Sequence, residues 1–133
     1  MKTFELPITI ETLADFFATC NRHDTDEIME FMSPDCVFFT AAGSEIYGAR
    51  LAGKESVREA FVSIWANTPD ARWINEKHVV QGDFGVSEWT FVGTLADGSK
   101  IEVNGVDIFT FKDGKIAIKN GFRKHRSNQQ LIN

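Results

Sequence analysis

A change of texture at Arg72 decides the architecture of this chain. Beyond it, four β-prone stretches, Trp73 to Val80, Val86 to Leu95, Ile101 to Phe111 and Lys115 to His125, are separated by the turn signals Gly82-Asp83, Asp97-Gly98 and Asp113-Gly114. Short runs joined by such pairs predict consecutive hairpin-linked strands. Before Arg72 the apolar spacing is helical. Leu13, Phe16, Phe17 and Cys20 follow the i, i+3, i+4, i+7 pattern of a helix from near Thr9 to near Asn21. Asp24 can cap a second helix, with Glu27 three positions on; its apolar side is Ile28, Phe31 and Met32, and Ser33-Pro34 stops it. Cys36 to Thr40 reads as a strand, followed by a loop through Ala41-Ala42-Gly43-Ser44 and a turn at Gly48. Lys54 to Ala66 reads as a third helix, with Val57, Ala60, Phe61, Ile64 and Trp65 on one face and Thr68-Pro69 closing it. Helices first and an antiparallel meander afterwards predict an α+β fold whose helices cover one face of a strongly curved sheet.

A length of 133 residues suits one domain spanning 1–133, with a core from about 9 to 126. Apolar runs such as Cys36 to Phe39 are far too short for a membrane span. The first residues, Met1 to Pro7, lack the apolar stretch of a signal peptide, so a cytoplasmic location is expected. A net charge of −5 argues against a nucleic-acid footprint. The charge is unevenly spread, since Lys112, Lys115, Lys119, Arg123, Lys124 and Arg126 face only one acid, Asp113, within residues 112–126. Alternating solvated strand faces explain this more readily than an anion site does. Cys20 and Cys36 form no CxxC and no zinc pattern, and read as buried thiols in a reducing compartment. Asp24 and Asp26 sit where a helix start needs caps, and neither a phosphate loop nor a dinucleotide fingerprint follows any strand, so neither metal nor cofactor is expected.

The helix pair Phe16-Phe17-Ala18-Thr19-Cys20-Asn21 and Asp24 to Met32, the Gly43-Ser44-Glu45 loop, the Gly53-led helix and the stretch Val106 to Ile116 together resemble the nuclear transport factor 2-like superfamily. Within it, the chain is most similar to the SnoaL-like proteins and their ketosteroid isomerase relatives, over Leu13 to Arg126. The resemblance implies a cystatin-like cone, a curved sheet wrapped over three helices, with a pocket inside and a homodimer made through the outer sheet face. It implies a carboxylic acid at Asp107, the place of the isomerases' oxyanion-holding acid. The isomerases' general base would lie just before Gly43, where this chain has Phe39-Thr40-Ala41. Their tyrosines fall at Phe16 and Phe61, which cannot donate hydrogen bonds, so steroid isomerisation is not expected. The cyclases' aspartate of the last strand falls near Gly121.

An apolar cone raises the pKa of a carboxyl inside it, so Asp107 is the first candidate for acid/base work. Its partner depends on the last turn. A two-residue loop at Asp113-Gly114 places Asn120 opposite Asp107, and a three-residue loop places Lys119 there. The second is preferred because it gathers Ile116, Ile118 and Phe122 on one face and Lys119, Gly121 and Arg123 on the other. Pairing Val80 with Val86 would set His78 opposite Glu88, on one face with Thr90, as a second acid/base unit or as an ordinary surface pair. His23 and His125 read as exposed. Phe16, Thr40, Phe61, Trp65, Trp89, Thr90 and Phe109 are candidates for the wall of a site for a small hydrophobic or aromatic molecule, with Lys119 and Arg123 holding its polar group; Phe39 and Trp73 are further candidate wall rings. The expected function is cofactor-free isomerisation, dehydration or hydrolysis, and the alternative is a non-catalytic binding or dimeric interaction module.

Overall fold

The computed structural model describes residues 7–127. Thr9 opens α1 (Ile10–Asn21) with a capping box, its side chain accepting the Thr12 N–H while the Thr12 hydroxyl accepts the Thr9 N–H. At the other end, the Asn21 side-chain amide donates to the Trp73 carbonyl at 2.9 Å and its oxygen accepts the Trp73 N–H at 2.8 Å. One side chain therefore stands in for a strand partner and docks the helix on the sheet.

Asp24 caps α2 (Thr25–Glu30) through the Glu27 N–H, as its spacing predicts. The helix is shorter than predicted, because Phe31 is its terminal residue and Met32 already begins β1 (Met32–Phe39). Ser33 and Pro34 thus lie inside a strand. They occupy the irregular stretch between Met32 and Val37, where β1 slips register against its neighbour and a missing N–H leaves no ladder bond unmade. β2 (Arg50–Ala52), read from the sequence as part of a loop, pairs antiparallel with the end of β1. α3 (Lys54–Asn67) starts after Gly53, whose φ of 91° suits glycine alone, and ends at Thr68.

β3 (Arg72–Gln81), β4 (Phe84–Thr94), β5 (Lys100–Lys112) and β6 (Lys115–Arg123) form the expected meander. The six described strands lie in the order β2-β1-β6-β5-β4-β3. The sheet is mixed rather than antiparallel throughout, because β1 runs parallel to β6. Hairpins dictate antiparallel pairing, whereas β1 and β6 are joined only through the rest of the chain, so no turn imposes their direction.

Two bulges reset which side chains face inward. In β3 the register shifts between Ile74 and Lys77, around Asn75 with its φ of 58°. In β6 it shifts at Ala117, between the pairs Phe111 with Ile116 and Thr110 with Ile118. Inside the sheet, Phe16 is fully buried and meets Phe17, Phe31, Phe61 and Phe109 edge to face, with centroids 5.2, 5.4, 6.5 and 6.0 Å away. Such pairs each add about 0.5–1.5 kcal/mol beyond area burial. This is an α+β cone: helices within a wrapped sheet, closed at its narrow end by phenylalanine rings. No described helix is long and apolar enough to cross a membrane.

Candidate active site

Above the phenylalanine core the cone holds a cavity of about 550 Å³. Its walls are largely apolar, with Phe38, Trp73, Trp89, Ile101 and Val103 among them, and its polar floor is Asp107 with Lys119. The mouth lies among the Thr40-Ala41-Ala42 loop, the β4–β5 turn at Leu95 and Ser99, and residues 123–126.

Asp107 has no exposed surface. Its Oδ1 accepts from Lys119 Nζ at 2.9 Å and its Oδ2 from the indole Nε1 of Trp89 at 3.0 Å. The ammonium also lies 4.2 Å from the centroid of Phe38, so the pair sits in an aromatic cage. The register that produces this contact differs from both expected alternatives. Asp107 stands directly opposite Gly121, because the bulge at Ala117 adds a residue that neither turn option contains. Lys119 is opposite Phe109 and reaches Asp107 diagonally along the same face. The two-residue turn pairs Ile116 with Phe111 and so turns it inward, and the bulge then keeps Lys119, Gly121 and Arg123 on that same inner face, as expected of the latter three. A side chain at Gly121 would begin 3.1 Å from Asp107 Oδ1, so the bare backbone leaves the carboxylate room.

The expected pair of His78 with Glu88 is not formed. β3 and β4 are one residue out of the assumed register, with His78 opposite Ser87 and Glu88 opposite Lys77. Glu88 and Thr90 consequently point to the outer face, where Thr90 Oγ1 donates to Asn104. His78 faces inward, its Nδ1 2.7 Å from Ser87 Oγ and its Nε2 3.1 Å from Glu76 Oε1, with its ring stacked on Phe17. Ser87 is itself opposite Asp107, so Asp107, Ser87 and His78 form one row across three strands, but His78 lies outside the cavity wall. Cys20, buried beneath this row, has its thiol pKa raised by desolvation, with Lys119 acting against the shift.

Of the candidate wall residues, Thr40, Trp73, Trp89, Lys119 and Arg123 line the cavity. Phe16, Phe61 and Phe109 do not, because they are the core that closes it from below. Trp65 lies outside as well, its indole donating to Thr25 and its face stacked on His23 at 3.9 Å. That stack and the 2.7 Å contact of His23 Nε2 with the Ala71 carbonyl make His23 half-buried, where an exposed residue was expected. His125 is exposed, at the mouth. Phe39 leans against Tyr47 outside the cavity. Ile101 and Val103 were missed, although alternation back from Asp107 along β5 points to them. Gly105 was missed too: a Cβ there would lie 2.6 and 2.7 Å from two ring carbons of Trp89, so glycine lets the indole lie flat across β5 and reach Asp107.

Solved structures share this cone. One is a candidate polyketide cyclase of Pseudomonas putida KT2440, with 18% identity over 94% of this chain and 97% of that one, and a TM-score of 0.76. A Xanthomonas campestris protein with a cystatin-like fold has 18% identity over 91% and 93%, with a TM-score of 0.76. TerC, co-crystallised with polyporic acid, has 21% identity over 86% and 90%, with a TM-score of 0.73. No curated protein matches the chain. A family model describing the SnoaL-like domain matches residues 13–118, and with the cone, the strand order and that match together, the chain belongs to the SnoaL-like family.

Proposed function

We propose that the protein binds a compact, ring-bearing apolar molecule in the cone and moves a proton on it without a cofactor. The observation that carries this reading is the fully buried Asp107 carboxylate on the floor of an apolar cavity, 2.9 Å from the Lys119 ammonium. Each oxygen of Asp107 accepts one hydrogen bond and keeps a second lone pair, so the carboxylate can take a proton from a carbon beside a carbonyl. A Lys119 N–H donates to the carbonyl oxygen as negative charge develops there. Return of the proton to another carbon gives isomerisation, and departure of a β-hydroxyl from the enolate as water, carrying the proton that Asp107 took, gives dehydration. TerC supports the ligand class as a fold relative crystallised with polyporic acid.

The test is hydrogen–deuterium exchange at the α-carbon of 2-tetralone in heavy water, followed by proton NMR. Wild type accelerates exchange over buffer, and Asp107→Asn and Lys119→Met each lose about hundredfold or more. Bound 2-tetralone with no acceleration overturns the catalytic reading in favour of a carrier, a role suited to a carboxylate whose two oxygens are both already held.

The proposal extends to assembly and location. Two copies associate through the outer sheet face, where Val79 and Phe84 are 61% and 47% exposed beside the half-buried Val86 and Ile108. The free, buried thiols Cys20 and Cys36 suit a reducing compartment such as the cytoplasm.

A further inference from the structure

The fold divides the basic run of residues 112–126 in two. Lys112 lies 3.8 Å from Asp35, and Lys115 donates to the Glu30 carbonyl at 2.7 Å, both outside the cavity. Lys119, Arg123, Lys124 and Arg126 line it, together with Lys100 from the opposite turn. Among the described lining residues these five cations meet one carboxylate, Asp107, which Lys119 and Trp89 already hold. Lys100 is shared with the field of Asp70, and Arg126 donates to the Glu102 carbonyl. The chain carries −5 overall, so the cavity has the opposite sign to the molecule around it.

Arg123 is the cation best placed to use that sign. Its guanidinium carbon sits 4.3 Å over the ring of Phe91, which holds the group at the mouth. Among the described residues no carboxylate lies within ion-pair distance of it. The residue is exposed as a whole, yet the desolvation that comes with packing on the wall lowers its pKa, with Asp107 acting the other way. A partly dehydrated guanidinium without a counter-ion gains most from an arriving anion. Along β6, Lys119 and Arg123 face the same side with Cα atoms about 13 Å apart.

We propose that the ligand is an apolar acid, its rings between Phe38, Trp89 and Val103 and its carboxylate at the mouth on Arg123. The proposal rests on the reading of the cavity as a binding site and adds the charge of the occupant. Two probes of one shape separate the two ideas: 2-naphthoate and neutral 2-naphthamide, titrated calorimetrically at pH 7.5 in low salt. The acid binds wild type about tenfold or more tightly than the amide, and the preference shrinks in 0.5 M salt. Arg123→Gln reduces it to about threefold or less, whereas Lys112→Gln, outside the cavity, keeps it. Equal binding of acid and amide to wild type overturns the proposal and leaves the cavity reading standing. A full, salt-insensitive preference, or one retained in Arg123→Gln, overturns the assignment to the mouth. Failure of both probes to bind at millimolar concentration overturns the proposal and the cavity reading together.

Discussion

Among the described residues, Asp107 and Lys119 are each other's only ion-pair partners inside the cone. Removing one partner leaves the other as a buried, unneutralised or unsatisfied group, a change that costs about 3–5 kcal/mol in comparable settings. Asp107→Asn and Lys119→Met should each lower stability by this order, while Asp107→Asn combined with Lys119→Met costs clearly less than the two together. Denaturant titration of the three variants measures the coupling. Strictly additive losses would show that the ion pair contributes nothing as a unit. Gly105 acts at the same scale. Gly105→Ala pushes a methyl against the Phe122 carbonyl oxygen and into the Trp89 ring and should cost about 1–3 kcal/mol, with a smaller loss for Trp89→Phe, which removes the indole N–H but keeps a ring.

At the level of elements, the bulges in β3 and β6 carry the site, and they are what the sequence least reveals. Helix α1 was legible from Leu13 to Cys20, and α3 from Val57 to Trp65, because a 3.6-residue period repeats over several turns. The strands were legible from their Asp-Gly and Gly-Asp turns. Asn75 and Ala117 carry no comparable mark, yet each adds one residue to its ladder and sets which side chains face inward beyond it. Hence Lys119 was expected beside Asp107 through the wrong register; the His78–Glu88 pair fails at the other end of β3, where Gly82-Asp83 makes a two-residue turn that pairs Gln81 with Phe84. Deleting Ala117, the unpaired residue of the bulge, should straighten β6 and keep Lys119 opposite Phe109, so that 2-tetralone exchange persists; loss of exchange in a variant that circular dichroism reports as folded would show that the kink itself positions Lys119. A second element-level device is Asp70, which accepts the Thr94 N–H and hydroxyl, both at 2.7 Å, and ties the α3–β3 turn to the end of β4. The Thr94 hydroxyl bond, first among several, holds its pKa below the usual carboxylate range. A depressed native pKa stabilises at pH values above the unfolded one and is lost as pH falls. The melting temperature of Asp70→Asn should therefore trail wild type at pH 7 and converge with it between about pH 5 and pH 2. A constant gap across that range would show that the clamp is not what titrates.

For the whole molecule, the inner and outer faces of one sheet do separate jobs. The inner face is paired, caged and charged, and the outer one presents Val79 and Phe84. Wild type should sediment as a dimer at about 10 µM, and Val79→Lys with Phe84→Glu should sediment as a monomer that still binds 2-naphthoate.

The indole of Trp89 is both a wall of the cavity and a donor to Asp107 on its floor, and Trp73 shares the wall, whereas Trp65 lies outside it. The protein therefore contains its own optical gauge of occupancy. A guest that shields these two fluorophores or disturbs the bond to Asp107 shifts the emission, so a library of unlabelled compounds can be sorted by light alone.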